Sequence, residues 1–304
     1  MNIRPIPGSG LPDTMSANPS NAPKLHRGTD LSVADKLIET ILPRGTWRRR
    51  AARWLKGKAK KVGRKFKPDR STHIFVACFQ KAGSTYLTEL LSEITGFPSR
   101  ALVAAYGHND QDVHEYALEE VAYKNSVTQQ HAKGTANNVE LLKKFGIKPV
   151  VLVRDIFDVT VSLFDHIEGG RHRVPTGFVH REYWNLSRDQ KILYIIRVHL
   201  PWYFNFFVSW REAAQELQVR WLTYEELFAD QVATVSRVLE FYGLPADPYR
   251  IQTAIRATAK RPTRFNVGVS GRGKSLSEFH KQSILDIASV WGIDKNDIRM
   301  IGIT

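Results

Sequence analysis

Residues 73–79 form an apolar run, HIFVACF, that ends abruptly at the polar stretch 80–85, QKAGST. An apolar run without alternation is typical of a strand that is buried on both faces, at the centre of a parallel sheet. From Ser84 to about Ile94 the apolar residues recur at helical spacing. Ligands of parallel sheets bind where strands end, so this strand–turn–helix unit predicts an α/β fold with a binding site at the turn.

The rest of the chain repeats this alternation of strands and helices. A helix is predicted from about Asp158 after the third strand, and one long helix over 225–243 after the fourth. Such alternation indicates a mostly parallel central sheet between two layers of helices. We therefore predict one three-layer α/β domain over residues 71–304. The three further strands are predicted at 126–131 (SVTQQH), 148–154 (KPVVLVR) and 219–224 (VRWLTY).

The first 70 residues differ in composition from this domain. Residues 1–30 are rich in Pro, Ser, Asn and Gly and are predicted to be disordered. Residues 31–70 are predicted to form a short helix, over 31–42, followed by a basic arm. This arm, residues 44–70, contains 13 Lys or Arg and one acidic residue, so it supplies +12 of the net charge of +14. The domain itself is close to neutral, and the basic pI is a property of the arm.

Apolar residues recur at helical spacing within the basic arm, which predicts a basic amphipathic helix. Such a helix can lie on an anionic membrane surface or contact nucleic acid through phosphates. It can also pack on its own domain and leave its charges in solvent. We keep an anionic membrane surface as the candidate partner of residues 44–70 and expect no nucleic acid.

The composition also bears on the compartment. Hydrophobic residues make up 42% of the 304 residues, enough for a sizeable core. One cysteine excludes an intramolecular disulfide and is typical of a reducing compartment. We find no apolar run long enough to span a bilayer and no secretory signal pattern. We expect a cytoplasmic protein, with the arm as its only contact to a membrane.

The turn after the first strand has the chemistry of an anion site. The first N–H groups of a helix lack partners within the helix, and the helix dipole adds positive potential there. Gly83 lets the backbone approach a ligand, Ser84 and Thr85 add hydroxyl donors, and Lys81 adds a charge. A Walker A loop places its lysine after the last glycine, whereas Lys81 precedes Gly83, so an ATPase or GTPase is disfavoured. Taken alone, the turn also suits an ordinary strand–turn–helix with a surface lysine.

A second anion site is predicted at the end of the third strand. Arg154 ends this strand, and Ser162 lies eight residues later, in the following helix. The planar guanidinium of arginine suits phosphate oxygens. Both side chains can converge on one anion at the carboxyl edge of the sheet.

Together the two sites resemble those of the sulfotransferases that use 3′-phosphoadenosine 5′-phosphosulfate (PAPS). In that family a Pro-Lys-Ser-Gly-Thr-Thr-Trp loop holds the 5′-phosphosulfate, and an Arg and a Ser eight residues apart hold the 3′-phosphate, as Arg154 and Ser162 stand here. The resemblance covers most of residues 72–275. It implies PAPS as co-substrate, adenosine 3′,5′-bisphosphate as product and no metal, and the sequence has no His, Cys and Asp cluster at metal-ligand spacing. The loop residues that match are Gln80, Lys81, Ala82, Gly83, Ser84, Thr85 and Tyr86.

The resemblance also implies contacts to the rest of the nucleotide. Tyr86 stands where the family has a tryptophan against adenine, and Tyr224 resembles a family tyrosine near the adenine, although a strand-end core residue is an equal alternative. The segment 264–279 loosely resembles the family's Arg-Lys-Gly…Gly-Asp-Trp loop. Its 3′-phosphate arginine is either Arg264 or Arg272. Gly268, Gly271 and Gly273 would let this segment fold over the nucleotide.

Transfer of a sulfuryl group is an in-line displacement at sulfur, which requires a base for the acceptor proton and positive charge at the departing phosphate oxygen. Lys81 is the candidate for the charge. His131 is our first candidate for the base, because its place after the second strand resembles the family's Lys-Thr-His segment and its side chain titrates near neutral pH. Some glycan-modifying relatives use a glutamate, so the alternatives are Glu115, with His108 and His114 nearby, and His166.

The acceptor cannot be derived from the sequence. Residues 182–210 carry nine aromatic side chains that suit either an acceptor pocket or helix packing, and packing is favoured for most of them. The preferred function is a sulfotransferase for a hydroxyl or amine of a small molecule, glycan or lipid-linked sugar. The alternatives are a phosphoryl-transfer enzyme of related fold, which the lysine position disfavours, and a basic membrane- or nucleic-acid-binding protein with an inactive domain.

Overall fold

A computed structural model describes residues 71–302, apart from 104–109, 122, 171–173, 175, 260–269, 295–296 and 298–299. The predicted disordered segment 1–30, the predicted helix 31–42 and the basic arm therefore lie outside the described residues.

The described residues contain a four-stranded sheet in which every pair of neighbouring strands is parallel. The order is β2-β1-β3-β4, and helices flank the sheet. This confirms the predicted α/β fold. The strands are β1 (His73–Cys78), β2 (Ser126–Gln130), β3 (Pro149–Val153) and β4 (Arg220–Thr223).

Ten α-helices lie within the described ranges, interrupted by shorter helical turns. Turns of 3-10 helix occur at Arg181–Asn185 and Arg272–Ser275, and a π-helical turn at Ile195–His199. None of these helices is both long and apolar enough to cross a membrane. The α-helices are α1 (Ser84–Thr95), α2 (Glu115–Val121), α3 (Ala136–Phe145), α4 (Ile156–Glu168), α5 (Arg188–Tyr194), α6 (Leu200–Ala213), α7 (Tyr224–Ala229), α8 (Gln231–Phe241), α9 (Pro248–Ala259) and α10 (Glu278–Val290).

Two helix boundaries differ from the prediction because of side-chain caps. Helix α4 begins at Ile156, two residues before the predicted start, since the Asp155 carboxylate accepts a hydrogen bond from the Asp158 amide. The long helix predicted after β4 is two helices. Asp230, in an extended conformation, ends α7 and caps α8 by accepting from the Ala233 amide.

The core is centred on β1 and β3, whose residues are all buried. Helix α6 packs its rings into the same core, and Tyr203, Phe204, Phe206 and Trp210 are fully buried. Most of the aromatic residues in 182–210 therefore serve in packing, as favoured from the sequence.

The hydroxyl of Tyr242 joins the two central strands below the site. It accepts a hydrogen bond from the Phe75 amide at 3.1 Å and donates one to the Lys148 carbonyl at 2.6 Å. Both bonds lie in a partly buried region, where an unpaired backbone group is costly.

We predict that Tyr242→Phe lowers the free energy of unfolding by about 1–3 kcal/mol, because it leaves these backbone groups without the hydroxyl. Urea unfolding monitored by circular dichroism measures the change. Tyr249→Phe is the control, since Tyr249 is 77% exposed. Equal stability of the two variants would show that the Tyr242 hydroxyl does not stabilise the sheet.

Candidate active site

The candidate site lies at the carboxyl edge of the sheet, where each strand is followed by a predicted site residue. Lys81 follows β1, His131 follows β2, Arg154 follows β3 and Tyr224 follows β4. Because the strands are parallel and in register at their ends, with Cys78 opposite Leu152, all four chain exits are on one edge. The strand order places β1 between β2 and β3, so the Lys81 loop lies between His131 and Arg154.

The loop after β1 has two residues in the left-handed region of backbone conformation. Lys81 has φ +66° and Gly83 has φ +79°. A left-handed conformation costs a non-glycine residue about 1–2 kcal/mol, so the fold holds Lys81 in a conformation that it would not adopt alone. Gly83 also has little room for a side chain, because a Cβ there would lie 3.2 Å from the ring of Tyr224. The first amides of α1 follow directly, as an anion site requires.

Arg154 holds this loop in place. Its Nη1 donates to the Lys81 carbonyl at 3.0 Å, and its guanidinium stacks on the ring of Tyr224 with the centroid 4.0 Å away. Its Nη2 lies 3.3 Å from Oδ2 of Asp158, one turn along α4. Arg154 is only 5% exposed, so its orientation is fixed by three partners before a ligand arrives.

Asp158 connects Arg154 to the C-terminal segment. Its carboxylate is buried and accepts hydrogen bonds from the Gly271 amide at 2.9 Å and the Gly273 amide at 2.7 Å. Gly273 has no room for a Cβ, which would lie 2.3 Å from the Cβ of Phe157. The segment with Arg272 is thereby packed onto α4, the helix that also carries Ser162 in a buried position.

His131 is held by the end of β1. Its Nδ1 lies 2.9 Å from the carbonyl oxygen of Cys78 and 3.5 Å from the Cys78 sulfur. A carbonyl only accepts, so Nδ1 carries the proton and Nε2 is the nitrogen left to react. Nε2 lies 4.0 Å from Oδ2 of Asp110. Burial acts to lower the pKa of His131, but the Cys78 sulfur and the Asp110 carboxylate together raise it to about 9.

Lys81 and His166 meet on the other side of the loop. The Lys81 ammonium lies 3.4 Å from Nδ1 of His166, one turn after Ser162 on α4. His166 on α4 therefore contacts the lysine of the loop.

A model of the sulfotransferase domain matches residues 71–269. The chain belongs to the sulfotransferase domain family. A comparison with curated proteins found no match.

Solved sulfotransferase structures share the fold at low identity. The mouse sulfotransferase SULT7A1, described as complexed with PAP, superposes with a TM-score of 0.57 at 17% identity, over 77% of this chain and 88% of that chain. A retinol dehydratase, described in complex with androsterone and the inactive cofactor PAP, gives 0.51 at 16% identity, over 77% of this chain and 82% of that chain. At these identities the likeness concerns the fold.

The two predicted adenine-side tyrosines of this sulfotransferase are both buried. Tyr224 lies between Gly83 and Arg154 and supports the loop. Tyr86 points its hydroxyl at Oε1 of Gln231, 2.9 Å away, and its ring lies 5.5 Å from that of Phe228. Thr85 donates to Oε1 of Gln129 at 3.4 Å.

Of the alternative bases, His166 contacts Lys81, whereas the others lie away from this cluster or outside the described residues. Glu115 forms an ion pair with Lys144 on an exposed surface. His108, Arg264 and Gly268 lie outside the described residues. Arg272 forms an ion pair with Asp165, on α4.

Within the described ranges no group of three His, Cys, Asp or Glu could hold a metal ion.

Sequence reasoning missed Asp158 and Asp110. Asp158 lies four residues after Arg154, a spacing at which a helix places an acid beside a base, and this signal could have identified it. Asp110 precedes His131 by 21 residues, and no local pattern connects the two.

Asp155 caps the helix that presents Arg154. Its Oδ1 accepts from the Asp158 amide at 2.9 Å, and its own amide lies 3.3 Å from Oε1 of Glu225. Burial, together with the nearby Asp158 and Glu225 carboxylates, raises the pKa of Asp155 to about 7.

We predict that Gly83→Ala abolishes binding of adenosine 3′,5′-bisphosphate, while Gly96→Ala does not. Both glycines have a left-handed φ, +79° and +72°, so backbone strain destabilises each variant by about 1–2 kcal/mol. Only the Gly83 Cβ meets a neighbour, the Tyr224 ring, whereas Gly96 has open space. Calorimetric titration of both folded variants measures the difference. Equal affinities would show that the loop does not form the anion site.

We predict that Asp155→Asn stabilises the protein increasingly as the pH rises from about 4 to 7, and by a constant amount above that. The folded-state pKa, about 7, is above the unfolded value, so ionisation of Asp155 destabilises the fold as pH rises through this window. Asparagine still caps the helix and carries no charge. The gain at pH 8 should be of the order of 2–4 kcal/mol, by urea unfolding. Asp230→Asn is the matched control for a capping carboxylate, and a gain that does not depend on pH would contradict the account.

Proposed function

We propose that this sulfotransferase moves the sulfuryl group of PAPS to a hydroxyl or amine of an acceptor, which is a small molecule, a glycan or a lipid-linked sugar. The observation that carries the proposal is the convergence of Lys81, His131 and Arg154 on one edge of the sheet. PAP (adenosine 3′,5′-bisphosphate), which is bound in the two structural neighbours, supports the same nucleotide.

The residues present fit the two anionic ends of PAPS. Lys81, the amides that follow Gly83 and the hydroxyls of Ser84 and Thr85 would hold the 5′-phosphosulfate. Arg154 and Ser162 would hold the 3′-phosphate, because both are buried at this edge of the sheet, one at the end of β3 and one on α4, and a guanidinium suits phosphate oxygens.

The C-terminal segment and Tyr86 would complete the nucleotide site. Arg272 and Gly271 lie on the segment that Asp158 holds against α4. Arg264 and Gly268, just before it in the chain, are kept as contributors by the resemblance alone. Tyr86 would lie beside the adenine.

Two side chains would promote the reaction, one at the leaving group and one at the acceptor. The acceptor oxygen forms a bond to sulfur as the bond from sulfur to the bridging phosphate oxygen breaks, and the electron pair stays on that oxygen. The ammonium of Lys81 stabilises the charge that develops there. In its neutral form His131 is the general base: Nδ1 is held by the Cys78 carbonyl, so Nε2 receives the acceptor proton.

The two alternative functions are supported by fewer residues. A phosphoryl-transfer enzyme would require the Walker lysine position that Lys81 does not occupy. A binding protein with an inactive domain would draw only on the basic arm. We keep an anionic membrane surface as the partner of residues 44–70 and a cytoplasmic, peripheral location as part of the proposal.

The test is transfer of ³⁵S from labelled PAPS to a panel of phenols, alcohols, amines and sugars, with the wild type and three variants. We predict that Lys81→Met lowers kcat by about 10²–10³-fold, because it keeps the apolar stem and removes the charge. We predict a loss of about 10²–10⁴-fold for His131→Ala with unchanged nucleotide affinity. Lys124→Met, at an exposed turn before β2, is the control.

Absence of transfer to every acceptor by the wild type, or full activity of Lys81→Met, would contradict the proposed function. Full activity of His131→Ala would leave the transferase but move the base to His166, Glu115 or His108.

A further inference from the structure

A carboxylate outside the predicted site faces the reactive nitrogen of His131. Asp110 Oδ2 lies 4.0 Å from Nε2, and the two side chains are 34% and 13% exposed. The pair is therefore partly open to solvent, while the Cys78 carbonyl holds the ring at Nδ1.

The segment that carries Asp110 is anchored to the end of β2. The indole N–H of Trp202 donates to Oε1 of Gln111 at 2.7 Å, and the Asn138 amide donates to the Gln111 carbonyl at 3.1 Å. The side chain of Gln130, the last residue of β2, donates to the Asp112 carbonyl at 2.9 Å. These bonds fix the backbone next to Asp110 relative to the residue that precedes His131.

Helix α6 supports both members of the pair. Trp202 lies in a T-shaped contact with the His131 ring, with centroids 6.3 Å apart, and Trp210 donates from its indole to the Ala132 carbonyl at 2.9 Å. One helix thus holds the segment of Asp110 and the residue after His131, so their separation is a property of the fold.

The separation suits a bridging hydroxyl. At 4.0 Å, Nε2 and Oδ2 are too far apart for a direct hydrogen bond. An oxygen placed beside both atoms can lie within hydrogen-bond reach of each, about 2.8 Å. A hydroxyl has one proton to donate and lone pairs to accept with, which matches one charged donor and one acceptor.

We propose that Asp110 is a second catalytic residue, which together with His131 forms the proton-accepting group. The acceptor hydroxyl bridges His131 Nε2 and Asp110 Oδ2. This inference rests on the proposed function and deepens it, because it replaces a single base by a pair.

The proton balance holds in both charge states of the ring. With a neutral imidazole, Nε2 takes the acceptor proton as the oxygen–sulfur bond forms, and Asp110 stabilises the imidazolium. With an imidazolium, its N–H binds the acceptor oxygen and Oδ2 takes the proton. In either case the proton passes to water after the sulfated product leaves. The pKa of His131, about 9, makes the second state the common one at neutral pH.

The test compares Asp110→Asn, Asp110→Glu and Asp112→Asn with the wild type in two measurements. The first is the titration of the His131 imidazole by heteronuclear NMR, assigned with His131→Gln, which requires no acceptor. The second is release of adenosine 3′,5′-bisphosphate from PAPS, with the acceptor that the panel identifies or with water. Bisphosphate affinity is measured for every variant.

We expect Asp110→Asn to lower the pKa of His131 and to reduce turnover at pH 7 at least about tenfold, with unchanged bisphosphate affinity. Asp110→Glu should restore part of the His131 pKa and part of the turnover. Asp112 is an exposed neighbour on the same segment, and Asp112→Asn should change neither the pKa nor the turnover. An unchanged titration in Asp110→Asn would show that the carboxylate does not face the ring, and full turnover would show that His131 acts alone. If the wild type does not bind the bisphosphate, the result would instead contradict the proposed function.

Discussion

The buried carboxylate of Asp158 is the interaction on which the candidate site depends. It lies between the guanidinium of Arg154 and the amides of Gly271 and Gly273. A carboxylate that is removed from water this completely is tolerated only when it is paired and hydrogen-bonded. Arg154 in turn binds the Lys81 carbonyl, so one buried charge connects the C-terminal segment, α4 and the loop after β1. Removing it would leave a buried guanidinium and two amides without that partner.

The parallel sheet places this local network beside the other candidate residues. Because the four strands run in one direction, the residues that follow them lie at one edge of the sheet. The order β2-β1-β3-β4 places the loop of Lys81 between His131 and Arg154. Lys81, the proposed charge for the leaving phosphate oxygen, and His131, the proposed base, thus follow different strands. Their separation is set by hydrogen bonds between strands, which are rigid compared with loops. The chain belongs to a family built on this arrangement.

Much of this could be predicted from the sequence, because strands and strand ends are local features. The apolar runs before Lys81 and Arg154 predicted two central strands, and the polar residues after them predicted the edge at which ligands bind. The break at Asp230 was not predicted, because helical spacing continues through it and only the capping side chain ends the helix. Asp110 and Asp158 were missed for another reason. Asp110 would act with His131, 21 residues away, and no local pattern connects the two. The spacing of Asp158 to Arg154 indicates one ion pair, but the contacts of Asp158 to Gly271 and Gly273, more than 100 residues away, follow only from the fold.

The central claim is that this edge of the sheet binds a nucleotide with a 3′-phosphate. Calorimetric titration of the wild-type protein with adenosine 3′,5′-bisphosphate, beside ATP without magnesium, tests it most directly. The account predicts binding of the bisphosphate at least about tenfold tighter than that of ATP, because the site proposed at Arg154 and Ser162 would hold a phosphate that ATP lacks. Equal affinities, or no binding of the bisphosphate, would contradict it.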